Sequence, residues 1–408
     1  MAMQNANRTI IVCCLLLLVH GCGNPTRSAV APTLTGSQLP HLSQHPEGGA
    51  IMSWVEPDGD GHRLQYAHYV DGAWGDARTV VSGENWFVNW ADFPSVEVLS
   101  NDLWAAHWLV RSGWQTYAYD VAVSLSTDGG RTWSDSITPH DDNTPTEHGF
   151  VSLYPEGEAL GLVWLDGRKT IASAAGDVNP HDIGMTLRSA QLNQDGKVTE
   201  ESLIDDLVCD CCQTDVALSA NGPIVVYRDR TADEIRDISV AMYRNGSWSE
   251  GKTVSDDNWQ VYGCPVNGPA IDAAGDIVTV AWHTQADNQS RVRFARSLGA
   301  NDQFDTPIDI DDTRALGRVD VLVDELGESY VSWLRLGENN MAELCVRSVD
   351  RNGKLGRIDV IAEIPATRPS GFPQMQRVGN QILLAWTEVT DGEFRIATNV
   401  IPWSIPAQ

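Results

Sequence analysis

Cys209-Asp210-Cys211-Cys212 places three thiols within four residues, and a fourth follows in Gly263-Cys264-Pro265. Thiols at this spacing support three chemistries. In an oxidising compartment they close disulfides, whose connectivity the spacing leaves open. As thiolates they hold a soft ion, zinc or copper(I), with His148 or His140 as an added nitrogen ligand, although C-x-C-C lacks the paired C-x-x-C units of most zinc sites. The third chemistry is a nucleophilic thiol. Cys345 lies in the strand-like Glu343 to Arg347 and reads as a buried thiol. Two acidic runs, Asp58-Gly59-Asp60-Gly61 and Asp309-Ile310-Asp311-Asp312, resemble parts of a calcium loop, but neither ends in the bidentate acid that completes one.

The elements that must position these residues repeat along the chain. An apolar strand ending in an aromatic recurs as IMSW at Trp54, AAHW at Trp108, GLVW at Trp164, IVVY at Tyr227, TVAW at Trp282, YVSW at Trp333 and LLAW at Trp386. Copies are 51 to 63 residues apart, each follows another strand-like run, and most precede two more. Four antiparallel strands per unit of about fifty residues describe a β-propeller blade. The expected fold is therefore all-β, a propeller of seven four-stranded blades over residues 37–408. The last copy offers only three clear strands, so Ser28 to Thr35 is expected to add its outer strand and close the ring, which removes an open sheet edge.

Propeller topology then sorts the polar residues. Loops after the second strand and loops entering the next blade share one face, and turns between the third and fourth strands lie on the other. The first face collects Glu56, Asp58, Arg111, Asp166, Arg168, Arg228, Asp229, Arg230, His283, Arg335 and Glu388. It also collects Trp86, Trp90, His140, Asp141, Asp142, Glu147, His148, Trp259, Tyr262, Asn267, Arg314, Arg318 and the four clustered cysteines. The functional site is expected at the axial opening of this face, weighted toward the third, fourth and fifth units.

Residues 1–21 carry Arg8 and then the apolar run Ile10 to Val19, too short to span a bilayer and suited to an export signal. Val19-His20-Gly21-Cys22 resembles the lipobox of bacterial lipoprotein signal peptides, which implies lipidation at Cys22. Residues 22–36 then form a tether and closing strand, and the protein is expected in the cell envelope, periplasmic or on the outer membrane. With 55 acids against 28 Lys and Arg, a net charge of −27, the chain repels phosphate backbones and anionic lipid, so nucleic acid is excluded as a partner and a membrane is reached only through the lipid. A monomer is expected.

Ser126-Thr127-Asp128-Gly129-Gly130-Arg131-Thr132-Trp133 resembles the Asp-box of sialidases and related propellers, S-x-D-x-G-x-T-W, with weaker echoes at Asp71-Gly72-Ala73-Trp74 and Asn245-Gly246-Ser247-Trp248. The resemblance implies a sialidase-like propeller acting on glycans, an exo-glycosidase for acidic sugars, with six blades in the sialidase type as the alternative to the seven counted above. It implies arginines that clamp a sugar carboxylate, for which Arg168, Arg228, Arg230 and Arg236 stand here with His148 beside them. It implies a proton donor, Asp166, and a tyrosine nucleophile activated by a glutamate, Tyr262 with Glu234. The family's F/Y-R-I-P motif ahead of the first blades is absent. The alternative function is a non-catalytic surface propeller that binds a glycan or other small anionic ligand, its cysteine cluster closed by disulfides or loaded with zinc or copper. In that second reading Trp86, Trp90, Trp114 and Trp259 offer faces for a sugar ring, with packing between blades the expected role of most of them.

Overall fold

A computed structural model of the chain describes residues 30–171, 183–199, 201–298 and 303–403. The export segment, Cys22 and the first residues of the expected closing strand lie outside these. Seven antiparallel sheets follow in sequence at 38–83, 95–126, 148–208, 215–253, 270–311, 315–365 and 374–402, and they form the seven blades of a propeller.

Every marker aromatic falls on the second strand of its blade, for example Trp54 in Ala50–Asp58, Trp164 in Ala159–Asp166 and Trp282 in Ile277–Thr284. These strands are buried along nearly their whole length because a neighbouring blade covers each face, which is why they read as apolar runs rather than alternating ones. Seven apolar clusters hold the ring, one for each pair of adjacent blades. Trp108 packs between blades one and two, Trp164 between two and three, Tyr227 between three and four, and Trp282, Trp333 and Trp386 continue the series. Trp54, fully buried, joins Leu383, Ala385 and Val400 of the seventh blade and closes the circle. Removing one such indole costs about 3–5 kcal/mol in comparable cores.

Closure by packing replaces the expected closing strand. The last sheet keeps three strands, residues 30–35 form none, and the link there is the Gly36 amide donating to the Phe394 carbonyl at 2.8 Å. Apolar area between blades one and seven does the work a shared sheet edge would have done.

The first strands surround an axial channel lined by His41, Glu97, Asp215, Asp272 and Asp320 among others. Three of its aspartates stitch successive blades. Asp215 accepts the Ile271 amide at 2.9 Å, Asp272 the Val323 amide at 2.7 Å and Asp320 the Met375 amide at 2.5 Å. Burial, only partly offset by those amides, pushes each carboxyl up to about 7. The folded state therefore keeps protons that the unfolded chain has released above about pH 4, and stability falls as pH rises from about 4 to 7. His107 and His283, lowered to about 3 by burial, and His140, lowered to about 4, act in the opposite sense within that window. The three aspartates, with Asp92 raised to about 7 and Glu147 to about 8, outweigh them, and Glu234 and Asp142, held near 2, oppose only below it. The thermal midpoint is expected to drop between pH 4.5 and 7.5, more shallowly in Asp272→Asn; a midpoint rising through this range contradicts the assignment.

The Ser126–Trp133 segment forms a turn off the opposite face. Asp128 accepts the Thr132 amide at 2.9 Å and its hydroxyl at 2.7 Å, Ser126 Oγ takes the Gly130 amide, and Gly130 at φ 78° lies so close to Trp104 that a Cβ would collide with the ring. Asp71-Gly72 and Asn245-Gly246, all at positive φ, make the two-residue hairpin turns their sequences call for.

Candidate functional site

One end of the channel is capped by the segment entering blade two. Trp90 stacks on Phe372 at 5.9 Å, Phe93 meets the same ring, and the Gln213 side chain donates to the Ala91 carbonyl. Asp92 anchors this cap by accepting the Phe150 amide at 2.8 Å. Around it stand the loops of blades two to six that topology assigns to one face.

Most of the residues expected there are already engaged. Asp166 takes two hydrogen bonds from Arg168, each at 2.7 Å, and a third from the Trp164 indole. Burial alone would raise its carboxyl, but these donors and His148 hold it below the ordinary range. An acid kept ionised is no proton donor, so the role expected of Asp166 is not available to it. Arg168 also meets Asp142 and Glu201, leaving no edge of its guanidinium for a ligand. His148 is fully buried between Asp120, Asp142 and Asp166, with the neutral ring of His140 stacked on it at 3.9 Å. Burial opposes its charge, yet the three carboxylates raise its pKa, while burial and His148 lower that of His140 to about 4. Two rings stacked 7° from parallel do not aim their nitrogens at one ion, so this cluster reads as a charged–neutral histidine pair and not as a metal centre.

In blade four, Glu234 is forked between Arg230 at 2.7 Å and Arg236 at 2.8 Å. Burial pushes its carboxyl up, but the two guanidinium groups hold it at about 2. It is too weak a base to activate a tyrosine, and Tyr262 is 74% exposed, so the expected nucleophile pair is not supplied by these two residues. Arg228 is buried and makes no carboxylate ion pair among the described residues. It donates to the carbonyls of Arg236, Asn267 and His283 at 2.6 to 3.0 Å and covers the Trp259 ring. These contacts tie blade four to blade five and use four of its five N–H groups, which leaves a single donor for the substrate role expected of it. Three of the calcium-like acids are likewise engaged: Asp58 with Arg63, Asp309 with Arg293, Asp311 with Trp333 and Thr313. Trp86 and Trp259 are core residues, and Trp114 is 91% exposed.

The tyrosine and carboxylates that do meet are others. Tyr119 Oη lies 2.8 Å from Asp92 and 2.7 Å from Glu147. A phenol has one proton to give, so both contacts are made only if one of the two carboxyl groups is protonated. Burial, with Asp92, Asp210 and Cys264 nearby, pushes Glu147 up to about 8; burial pushes Asp92 to about 7. Tyr119 itself is raised well above 10, chiefly by burial, and stays a phenol. Glu147 is the partly exposed member of the trio and carries its proton at neutral pH.

Cys264, whose charge adds to the upward push on Glu147, lines an open cavity of about 620 Å³ with Trp90, Asn267, Leu316, Arg318 and Arg368, and no acid stands in its wall. A bulge between Gly317 and Asp320, where Gly317 and Arg318 both take positive φ, turns Arg318 out of its strand. The Arg318 guanidinium donates to the Thr367 and Gly371 carbonyls at 3.0 Å and sits 4.9 Å from the Trp90 ring centre. Burial and the neighbouring Arg368 lower its pKa to about 10. Neither arginine has a carboxylate ion partner among the described residues.

Among solved structures the chain matches a protein of unknown function from Dyadobacter fermentans. Identity is 11%, the match covers 92% of this chain and 97% of that one, and the TM-score is 0.50. That likeness is one of fold. Weaker overlays include the K499G mutant of the NanB sialidase from Streptococcus pneumoniae, at 8% identity over 92% and 94% of the chains with a TM-score of 0.46. Another is the polysaccharide lyase Uly1, at 9% over 88% of each with a TM-score of 0.48. No protein-family model matches the chain, and no match is found among curated proteins.

Sequence reasoning put Glu147 and Arg318 on this face but chose neighbours whose charges are used up. Spacing along the chain did not separate them. Arg168, Arg230 and Arg236 each have an acid two to four residues away that pairs with it, whereas Asp320, the acid nearest Arg318, is spent on the Met375 and Val321 amides.

Proposed function

We propose that the protein is a glycoside-cleaving propeller for acidic sugars, with Glu147 as the proton donor and Arg318 and Arg368 as the clamp for the sugar's anionic group. The observation that carries this reading is the pair of arginines left without acids in a chain that has 55 acids for 28 bases. In so acidic a molecule, an unpaired cationic wall beside a protonated carboxyl suits a ligand that brings its own negative charge and a leaving oxygen that needs a proton. Trp90 offers that ligand an aromatic face. The resemblance of Ser126–Trp133 to the Asp-box points toward glycans, and export with anchoring at Cys22 fits a substrate outside the cytoplasm.

The test is turnover of sialosides and uronosides by the purified protein. Arg318→Ala is expected to raise KM about 10- to 100-fold, the loss of a charge-assisted contact worth roughly 1.5–3 kcal/mol, and to lower the thermal midpoint as well, because the Thr367 and Gly371 carbonyls lose their donor. Binding of the same sugars without turnover favours the non-catalytic propeller. The absence of both binding and turnover across the panel removes the glycan reading.

A further inference from the structure

The cysteine cluster adjoins the proposed hydrolytic site but takes no step in it, and its geometry is that of a ligand set. All five cysteines among the described residues are free thiols. The Sγ atoms of Cys209, Cys211 and Cys212 lie within 4.8 Å of one another, with Cys209 4.0 Å from Cys211 and 3.1 Å from Cys212. A disulfide requires about 2.05 Å. A metal–sulfur bond of about 2.3 Å in a tetrahedral site spaces sulfurs by roughly 3.8 Å, which these separations bracket. Cys264, exposed on the segment entering blade five, lies near Cys211 but outside that 4.8 Å group, so it reaches the set as a fourth sulfur only by a turn of its side chain.

The surroundings fit thiolates. Arg236 donates to Cys209 Sγ at 3.3 Å, the kind of outer hydrogen bond that holds a ligating sulfur in place and offsets its charge. Asp210, the one oxygen ligand within the run, is turned away to the Met185 amide and Arg230. What remains is all sulfur, and such a set selects thiophilic ions over calcium or magnesium. We propose that Cys209, Cys211, Cys212 and Cys264 bind one thiophilic d10 cation, zinc or copper(I), which ties the entry of blade four to the entry of blade five at the rim of the arginine-lined cavity.

The full chain, purified anaerobically with reductant, is titrated with zinc sulfate in one arm and with copper(I) under ascorbate in the other. Cobalt(II) serves as the spectroscopic stand-in for zinc. One ion per chain is expected, with sulfur-to-cobalt charge-transfer absorption in the zinc arm. Cys211→Ser should abolish binding. Cys264→Ser, an exposed position that leaves the fold intact, should weaken it at least tenfold. The arm that saturates at one equivalent identifies the ion. Failure of the folded wild type to bind either ion, or peptide maps of the natively produced protein showing the four cysteines joined in two disulfides, overturns the proposal.

Discussion

Glu147→Gln is expected to lower kcat by about 10²- to 10⁴-fold, the range general acid catalysis contributes, while KM changes little. Gln has nearly the shape of the protonated acid and keeps a polar partner for Tyr119, so the fold should survive. Two further readouts separate proton donation from a structural role. Glycosides with nitrophenyl leaving groups, which depart without protonation, should lose far less activity than natural linkages. In the wild type the rate should stay level up to about pH 8 and fall above it as Glu147 ionises, since only the protonated carboxyl can donate. A Gln variant that cleaves natural linkages at the wild-type rate removes Glu147 from the mechanism.

Arg228→Ala should destabilise the fold rather than silence an otherwise intact protein. Four N–H groups of this buried side chain satisfy three backbone carbonyls from two blades, and the guanidinium lies 4.8 Å from the centre of Trp259. Truncation leaves those carbonyls facing a void, at about 1–3 kcal/mol for each buried group left unsatisfied, so a total loss of about 3–5 kcal/mol is expected. The measurement is the denaturant midpoint. Arg228→Lys should recover only part of the loss, because one ammonium cannot reproduce the planar fork. A folded Arg228→Ala protein with wild-type stability and raised KM would return the residue to the binding site.

The two residues show where sequence stops informing. Arg168, Arg228, Arg230 and Arg236 were reasonable clamps by topology, because loops after second strands and before first strands share a face. Topology does not say which of them already has a partner. Glu234 is bracketed by Arg230 and Arg236 in sequence, and the fold turns that spacing into a fork. Asp166 and Arg168 are likewise neighbours that satisfy each other. Tyr119 and Glu147 are 28 residues apart and Asp92 is 27 further back from Tyr119, so no local pattern links them. They meet because the third strand of blade two, the entry to blade three and the capping segment converge on one rim.

The blade count, by contrast, was written in the chain. Each second strand must be apolar on both faces because a blade covers each side, and each ends in a large aromatic that packs toward the preceding blade. Burial of that kind leaves a periodic signature in composition, so seven aromatics at near-equal spacing determined seven blades and the face on which polar loops gather. How the ring closes was not so determined, because interblade packing and a shared strand leave nearly the same pattern at the termini. The state of each charge was decided only by the tertiary structure. Whether a carboxyl is ionised, or a guanidinium is spare, depends on burial and on partners brought from distant blades, and the spacing of residues along the chain records neither.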